Sequence, residues 1–269
     1  MKVSDFPKIN FHPIQPSVKA RNPEISYQEY PPDSQLGNFI HCFWQLRTKS
    51  PLKQDYSYRV VSDGCVDIFF NQLIPSENFI MGFCRKFTAF DIGSEFNYIG
   101  VRFLPAAFPL LFGFNAKSLT NQTQHLSVIL PTLSEWISKE LAASNSVEHS
   151  IKKLQDKLLL MVKGKTLDYD TRFFNAMNEI IKRNGALDTT KELNTGLSAR
   201  QLRRVFNYYI GTTPKAFSNV VRFQYILNAS PSAQNNDNKI YYDVGFFDQA
   251  HYIKSFKQFY GITPSKAFS

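Results

Sequence analysis

The sequence predicts an α+β chain with a β-rich domain in front, a helical linker, and an all-α C-terminal domain. Three observations carry this. Short aromatic runs broken by turn residues fill the first half, apolar residues then recur every three or four positions, and the last hundred residues repeat themselves at an offset of fifty.

Length and composition set the frame. At 269 residues the chain exceeds one comfortable core, and 43% hydrophobic with 15% aromatic residues is globular composition. No run approaches the roughly 18 apolar residues of a membrane span, and the N-terminus lacks the apolar core of a signal peptide, so the expected location is the cytoplasm and no membrane partner is expected. A net charge of +9 favours a polyanionic partner.

Residues 1–25 carry Pro7, Pro13, Pro16 and Pro23, which suits an extended arm. Residues 26–125 hold FIHCFWQL, YRVVSDGCVDIFFN, FIMGF and NYIGVRFLP, short runs with strand character, and form the β-rich sensing or dimerisation domain. Residues 126–165 form the helical linker, where Ile151, Leu154, Leu158 and Met161 make a stripe that packs internally or pairs subunits. From residue 166 to 269 a third pattern begins, with Phe173, Met177, Ile180 and Ile181 on one helical face and Asn184-Gly185 as its stop.

Within that last segment LSARQLRRVFNYYIGTTP lies over FDQAHYIKSFKQFYGITP. Ser198 and Asp248 become helix caps, Gly211 and Gly261 helix stops, and Thr213-Pro214 and Thr263-Pro264 the starts of the next helices. Leu202, Val205, Phe206 and Tyr209 form one buried stripe, and Tyr252, Ser255, Phe256 and Phe259 repeat it. The opposite faces hold Arg200, Arg203, Arg204 and Asn207 in the first copy, and Gln249, Ala250, Ile253, Lys254 and Lys257 in the second, without an acidic residue. A shorter segment ending at glycine precedes each copy, TTKELNTG and KIYYDVGF, so each unit reads as helix-turn-helix. A connecting helix containing Phe217, Val220, Val221, Tyr225 and Leu227 joins the two. Arg donates twice to guanine, Gln bridges adenine and Lys reaches phosphate, which makes these faces readers of double-stranded DNA about 34 Å apart.

VGFFDQAHYIKSFKQFYGITP resembles the signature of the AraC/XylS family of bacterial regulators, and the likeness runs from about Thr166 to the end. The resemblance implies a sequence-specific transcription regulator whose two helices enter adjacent major grooves. Arg200, Arg203 and Arg204 from the first and Gln249, Ala250, Ile253 and Lys254 from the second would lie nearest the bases, with Tyr252 and Phe256 in the core. Tyr241 departs from the family, which usually has a small residue there. The front half resembles a β-rich domain often fused to this module, through WQL at 44–46, VSDGCVDIFF at 61–70 and GVRFLPAAF at 100–108.

Other chemistry is weighed against plainer readings. Cys42, Cys65 and Cys84, even with His41 and Asp67 beside them, match no compact zinc spacing, so neither metal nor cofactor is expected. Asp63 and Asp67 around Gly64 read as hairpin-turn chemistry rather than a catalytic pair. No nucleotide-loop, zinc-protease or serine-elbow motif is present and no enzyme is expected. Arg102, in an apolar strand, is the single effector-binding candidate: it faces either solvent or a cavity that takes an anion. The reading leaves room for a small-molecule effector, a homodimer, and RNA polymerase if the regulator is an activator. Its rivals are a front domain that only dimerises or binds protein, and a cysteine-dependent enzyme, which needs an accessible, cationic thiol setting.

Overall fold

The computed structural model describes residues 6–15, 22–142, 146–233, 245–246 and 248–268. The front half is antiparallel β. A six-stranded sheet runs in the order β1 (Ile25–Tyr30), β2 (Ile40–Thr48), β7 (Asn97–Phe103), β4 (Val66–Asn71), β5 (Ile74–Met81) and β8 (Thr123–His125), and β3 (Ser57–Val60) pairs with β6 (Thr88–Asp91) in a second, two-stranded sheet.

Strand alternation divides the sheet's residues between two cores. Ile68, Phe70, Ile99, Val101 and Phe103 face the main core, while Trp44, Leu46 and Tyr98 face a smaller one that Tyr58 of β3 also enters. Gly100 stands between Trp44 and Phe69 in register, and a Cβ there would lie 2.3 Å from the Trp44 indole. The glycine lets the indole lie against β7.

Ser62-Asp63-Gly64 is a turn, as expected, with Gly64 at φ 81° and the Asp63 carboxylate accepting from Cys65 N at 3.0 Å. It is not a hairpin turn. β3 and β4 pair with different partners, so the turn carries the chain from one sheet to the other.

The helices are α1 (Ala107–Phe112), α2 (Pro131–Glu140), α3 (Val147–Val162), α4 (Thr171–Lys182), α5 (Ala199–Tyr209), α6 (Pro214–Ala233), α7 (Gln249–Tyr260) and α8 (Pro264–Ala267). The α3 stripe packs internally: Ile151, Leu154 and Leu158 are buried, Met161 is only partly buried against the core, and Val162 takes the buried place beside it. α4 buries Phe173, Met177, Ile180 and Ile181 and stops at Asn184-Gly185, where Gly185 N donates to Ile180 O at 2.9 Å. One apolar core continues from the sheet through these helices to Tyr260. No described helix is long and apolar enough to cross a membrane.

The described part of the N-terminal arm, residues 6–15, forms no helix or strand and is wedged into this core. Phe6 stacks on Phe39 at 5.0 Å and meets Phe174 edge-on at 5.1 Å. Farther along, Gln15 exchanges hydrogen bonds with Val61 and donates to Asp63 at 2.7 Å. Gln224 of α6 binds both the N–H and the carbonyl of Ile14 and donates to Ser62 O at 2.8 Å. The arm therefore ties the β-rich half to the helical half.

Candidate nucleic-acid interface

The two repeat helices begin alike. At α5 the Ser198 hydroxyl accepts from Gln201 N and the Gln201 side chain accepts from Ser198 N at 2.9 Å, a reciprocal capping box. At α7 the Asp248 carboxylate accepts from His251 N at 2.7 Å. Leu202 and Phe206 are buried, with Val205 and Tyr209 half-buried against the core, and Tyr252, Phe256 and Phe259 bury the equivalent face of α7. Between the repeats Phe217, Val220, Val221 and Leu227 of α6 are buried, whereas Tyr225 turns outward.

Arg200, Arg203 and Arg204 are exposed on α5, as are Gln249, Ala250, Lys254 and Lys257 on α7. Two positions are less free. Asn207 is half-buried and donates to Arg203 O at 2.7 Å, while Ile253 leans into the core. Arg203 Nε donates to Ala199 O at 3.2 Å, which lays its stem along the helix.

The helix expected ahead of α5 is a single turn. Glu192 N and Lys191 N both bond back to Asp188 O, and the Asp188 carboxylate takes Thr190 N at 2.9 Å. The segment is too short to nucleate a helix on its own, and Asn194, Thr195 and Gly196 are poor helix formers. The corresponding segment ahead of α7, with Tyr241, lies outside the described residues.

The far ends of both helices rest on the β-rich half. Thr120 Oγ1 donates to Gly211 O at 2.6 Å after α5, and in the last turn of α7 Gln258 O accepts from Phe87 N at 3.2 Å. The repeat glycines allow this approach. A Cβ on Gly211 would sit 2.9 Å from Ala116 O, and one on Gly261 would sit 3.0 Å from the Phe87 ring, with φ at 88° and 93°. The sequence shows these glycines only as helix ends; their docking partners sit in short connecting segments with no motif of their own.

In the β-rich half, Arg102 is 2% exposed and lines a cavity of about 210 Å³ between the two sheets, so the solvent-facing alternative is excluded. Its charge is already balanced on the Nε and Nη2 side, while Nη1 is buried without a hydrogen bond. Asp67 binds it through two hydrogen bonds of 3.1 and 2.8 Å, and Asp63 approaches to 3.3 Å. Burial pushes the Asp67 carboxyl up, to about 6, against the opposing pull of Arg102. Trp44, Tyr58, Phe69 and Phe90 supply aromatic walls. All three cysteines are buried, and burial pushes the thiols up, Cys42 to about 12 and Cys84 to about 11.

Residues 194–269 match the model of a helix-turn-helix domain family. The C-terminal segment is a helix-turn-helix domain. A helix-turn-helix domain is a DNA-binding module, the partner that the paired basic faces also point to. Residues 28–125 match a domain of unknown function, DUF6597. No curated protein sequence matches the chain. Among solved structures, an apo variant of ToxT from Vibrio cholerae strain SCE256 is 13% identical over 92% of this chain and 98% of that one, with a TM-score of 0.40. ToxT from Vibrio cholerae O395 is 13% identical over 92% and 98%, with a TM-score of 0.38. Unsaturated fatty acid bound wild-type ToxT from strain SCE256 is 13% identical over 93% and 96%, with a TM-score of 0.39.

Proposed function

We propose that α5 and α7 read adjacent major grooves, with Arg200, Arg203 and Arg204 of one and Gln249, Ala250 and Lys254 of the other toward the bases, and Lys257 on phosphate. The observation that carries this is the matched pair itself: two helices with equivalent caps, acid-free outward faces, and glycine ends seated on the same β-rich body. The connecting helix α6 has 20 residues, a length of about 30 Å, close to one turn of DNA. Asn207 and Ile253 act as flank and support rather than as readers, because one is half-buried with its amide turned back on the helix and the other packs inward.

The cavity beside Arg102 is the effector site in this reading, and its ligand is neutral or cationic. Two aspartates already balance the guanidinium, and aromatic walls favour flat rings and cations. The buried, unactivated thiols count against a cysteine nucleophile. A homodimer and contact with RNA polymerase belong to the same proposal for an activator.

The test is selection of bound sites from a random duplex library by the full chain at two salt concentrations. Two enriched blocks about 10 base pairs apart support two readers. A single block would remove α7, and no enrichment would refute sequence reading by either helix.

A further inference from the structure

β2 is interrupted by a register shift between Ile40 and Cys42. Ile40 and Phe43 face the main core, whereas Cys42, Trp44 and Leu46 face the smaller one, so the extra residue at the bulge is His41. In an unbroken strand His41 and Cys42 would point to opposite faces. The bulge instead brings them together. Glu29 of β1 lies opposite Trp44, which places it on the Cys42 side of the sheet.

As a result, one ligand atom each from Glu29, His41 and Cys42 lies within 4.8 Å of the others. A carboxylate, an imidazole and a thiolate are ligands of zinc, at about 2.0–2.3 Å each, so small side-chain rotations close them on one ion. The Tyr27 hydroxyl donates to Glu29 at 2.7 Å, the kind of outer hydrogen bond that orients a ligating carboxylate. The Arg102 guanidinium borders the site and pairs with Glu29 at 4.0 Å, a contact that a bound ion would replace, while Asp67 and Asp63 hold most of its charge. Across from His41 stands His12 of the arm, with ring centroids 6.3 Å apart. The His12 carbonyl in turn accepts from Asn228 of α6 at 3.0 Å.

We propose that Glu29, His41 and Cys42 form a site for a divalent transition metal of the zinc type, with His12 closing its fourth corner. Binding releases the Cys42 thiol proton to solvent and fastens the arm to the β-rich half at the point where the arm touches α6. The site is separate from the cavity beside Arg102, and its test does not involve DNA.

The experiment adds Co²⁺ to the reduced full-length protein and reads its absorption. A thiolate-to-cobalt charge-transfer band with tetrahedral ligand-field bands is expected, and Zn²⁺ should bleach both. Cys42→Ala removes the charge-transfer band, while Cys65→Ala and Cys84→Ala keep it. Because Cys42 is buried, His41→Asn and Glu29→Gln give the second arm: both sites are partly open to solvent, and each variant should bind Co²⁺ at least about 10-fold more weakly. His12→Ala should change the ligand-field bands and weaken binding by a similar factor. No band in the unaltered protein, or a band that survives Cys42→Ala, overturns the site. Unchanged spectra with His12→Ala overturn the role of the arm.

Discussion

Asp67 and Arg102 face each other across β4 and β7, and the carboxylate takes the guanidinium through two hydrogen bonds. Removing one partner of a buried pair leaves the other charge uncompensated. Asp67→Asn should therefore lower unfolding stability by about 3 kcal/mol, the low end for such a loss because Asp63 remains within 3.3 Å of the cation. Urea unfolding measures it, and a loss below half that value would mean that Asp63 alone compensates Arg102.

Gly211 and Gly261 occupy equivalent repeat positions but meet neighbours of different stiffness. Backbone atoms of Ala116 crowd Gly211, whereas the side chains of Phe87 and Arg59 crowd Gly261. Alanine at either position is strained by its positive φ, at about 1–3 kcal/mol. Gly211→Ala adds a clash that cannot rotate away, so it should be the more destabilising of the two in thermal unfolding. Equal losses would show that α5 does not depend on its seat at Ala116 and Thr120.

Gln224 is 1% exposed and serves Ile14 and Ser62 together. Gln224→Leu keeps much of the volume but leaves buried backbone groups without partners, at about 1–3 kcal/mol each. The arm should then become the first site of protease cleavage in the folded protein. Unchanged cleavage would mean that Phe6 and its ring contacts hold the arm without Gln224.

These features differ in how far the sequence shows them. Caps at Ser198 and Asp248, stops at Gly211 and Gly261 and the buried stripes are local, so spacing alone reveals them. The helix expected at 189–196 depended on analogy between the two repeats, and the Asp188 carboxylate and poor helix formers reduce it to a turn. The partners of Arg102 depend on strand register: Asp67 is 35 residues away and Asp63 reaches it only because β3 and β4 part at Gly64. The grouping of Glu29 with His41 and Cys42 needs both a register and a bulge, neither of which a spacing rule contains.

Arg204 is exposed and has no competing bond along the helix, unlike Arg203, whose Nε donates to Ala199 O. Arg204→Ala should cost about 1–3 kcal/mol on the selected site and relax preference at one base pair. Lys257→Ala should weaken all sequences alike and reduce the salt slope by about 1. Binding assays on matched and scrambled duplexes separate these outcomes. Equal effects of Arg204→Ala on both duplexes would move Arg204 from bases to phosphates.

The cavity between the sheets gives the sharpest contrast among ligands. Benzyl alcohol, benzylamine and benzoate share a ring and differ in charge, and at neutral pH the amine is a cation and the acid an anion. An unpaired Arg102 would favour benzoate. The guanidinium held by Asp67 and Asp63, with Asp91 also lining the space, should instead exclude the anion and admit the other two. A ligand at 100 times its Kd raises stability by about 2.7 kcal/mol, enough to read as a rise in Tm. Val60→Trp, which fills the same space, should abolish the rise. A Tm increase with benzoate alone would return Arg102 to the role of an anion receptor and displace the neutral or cationic effector.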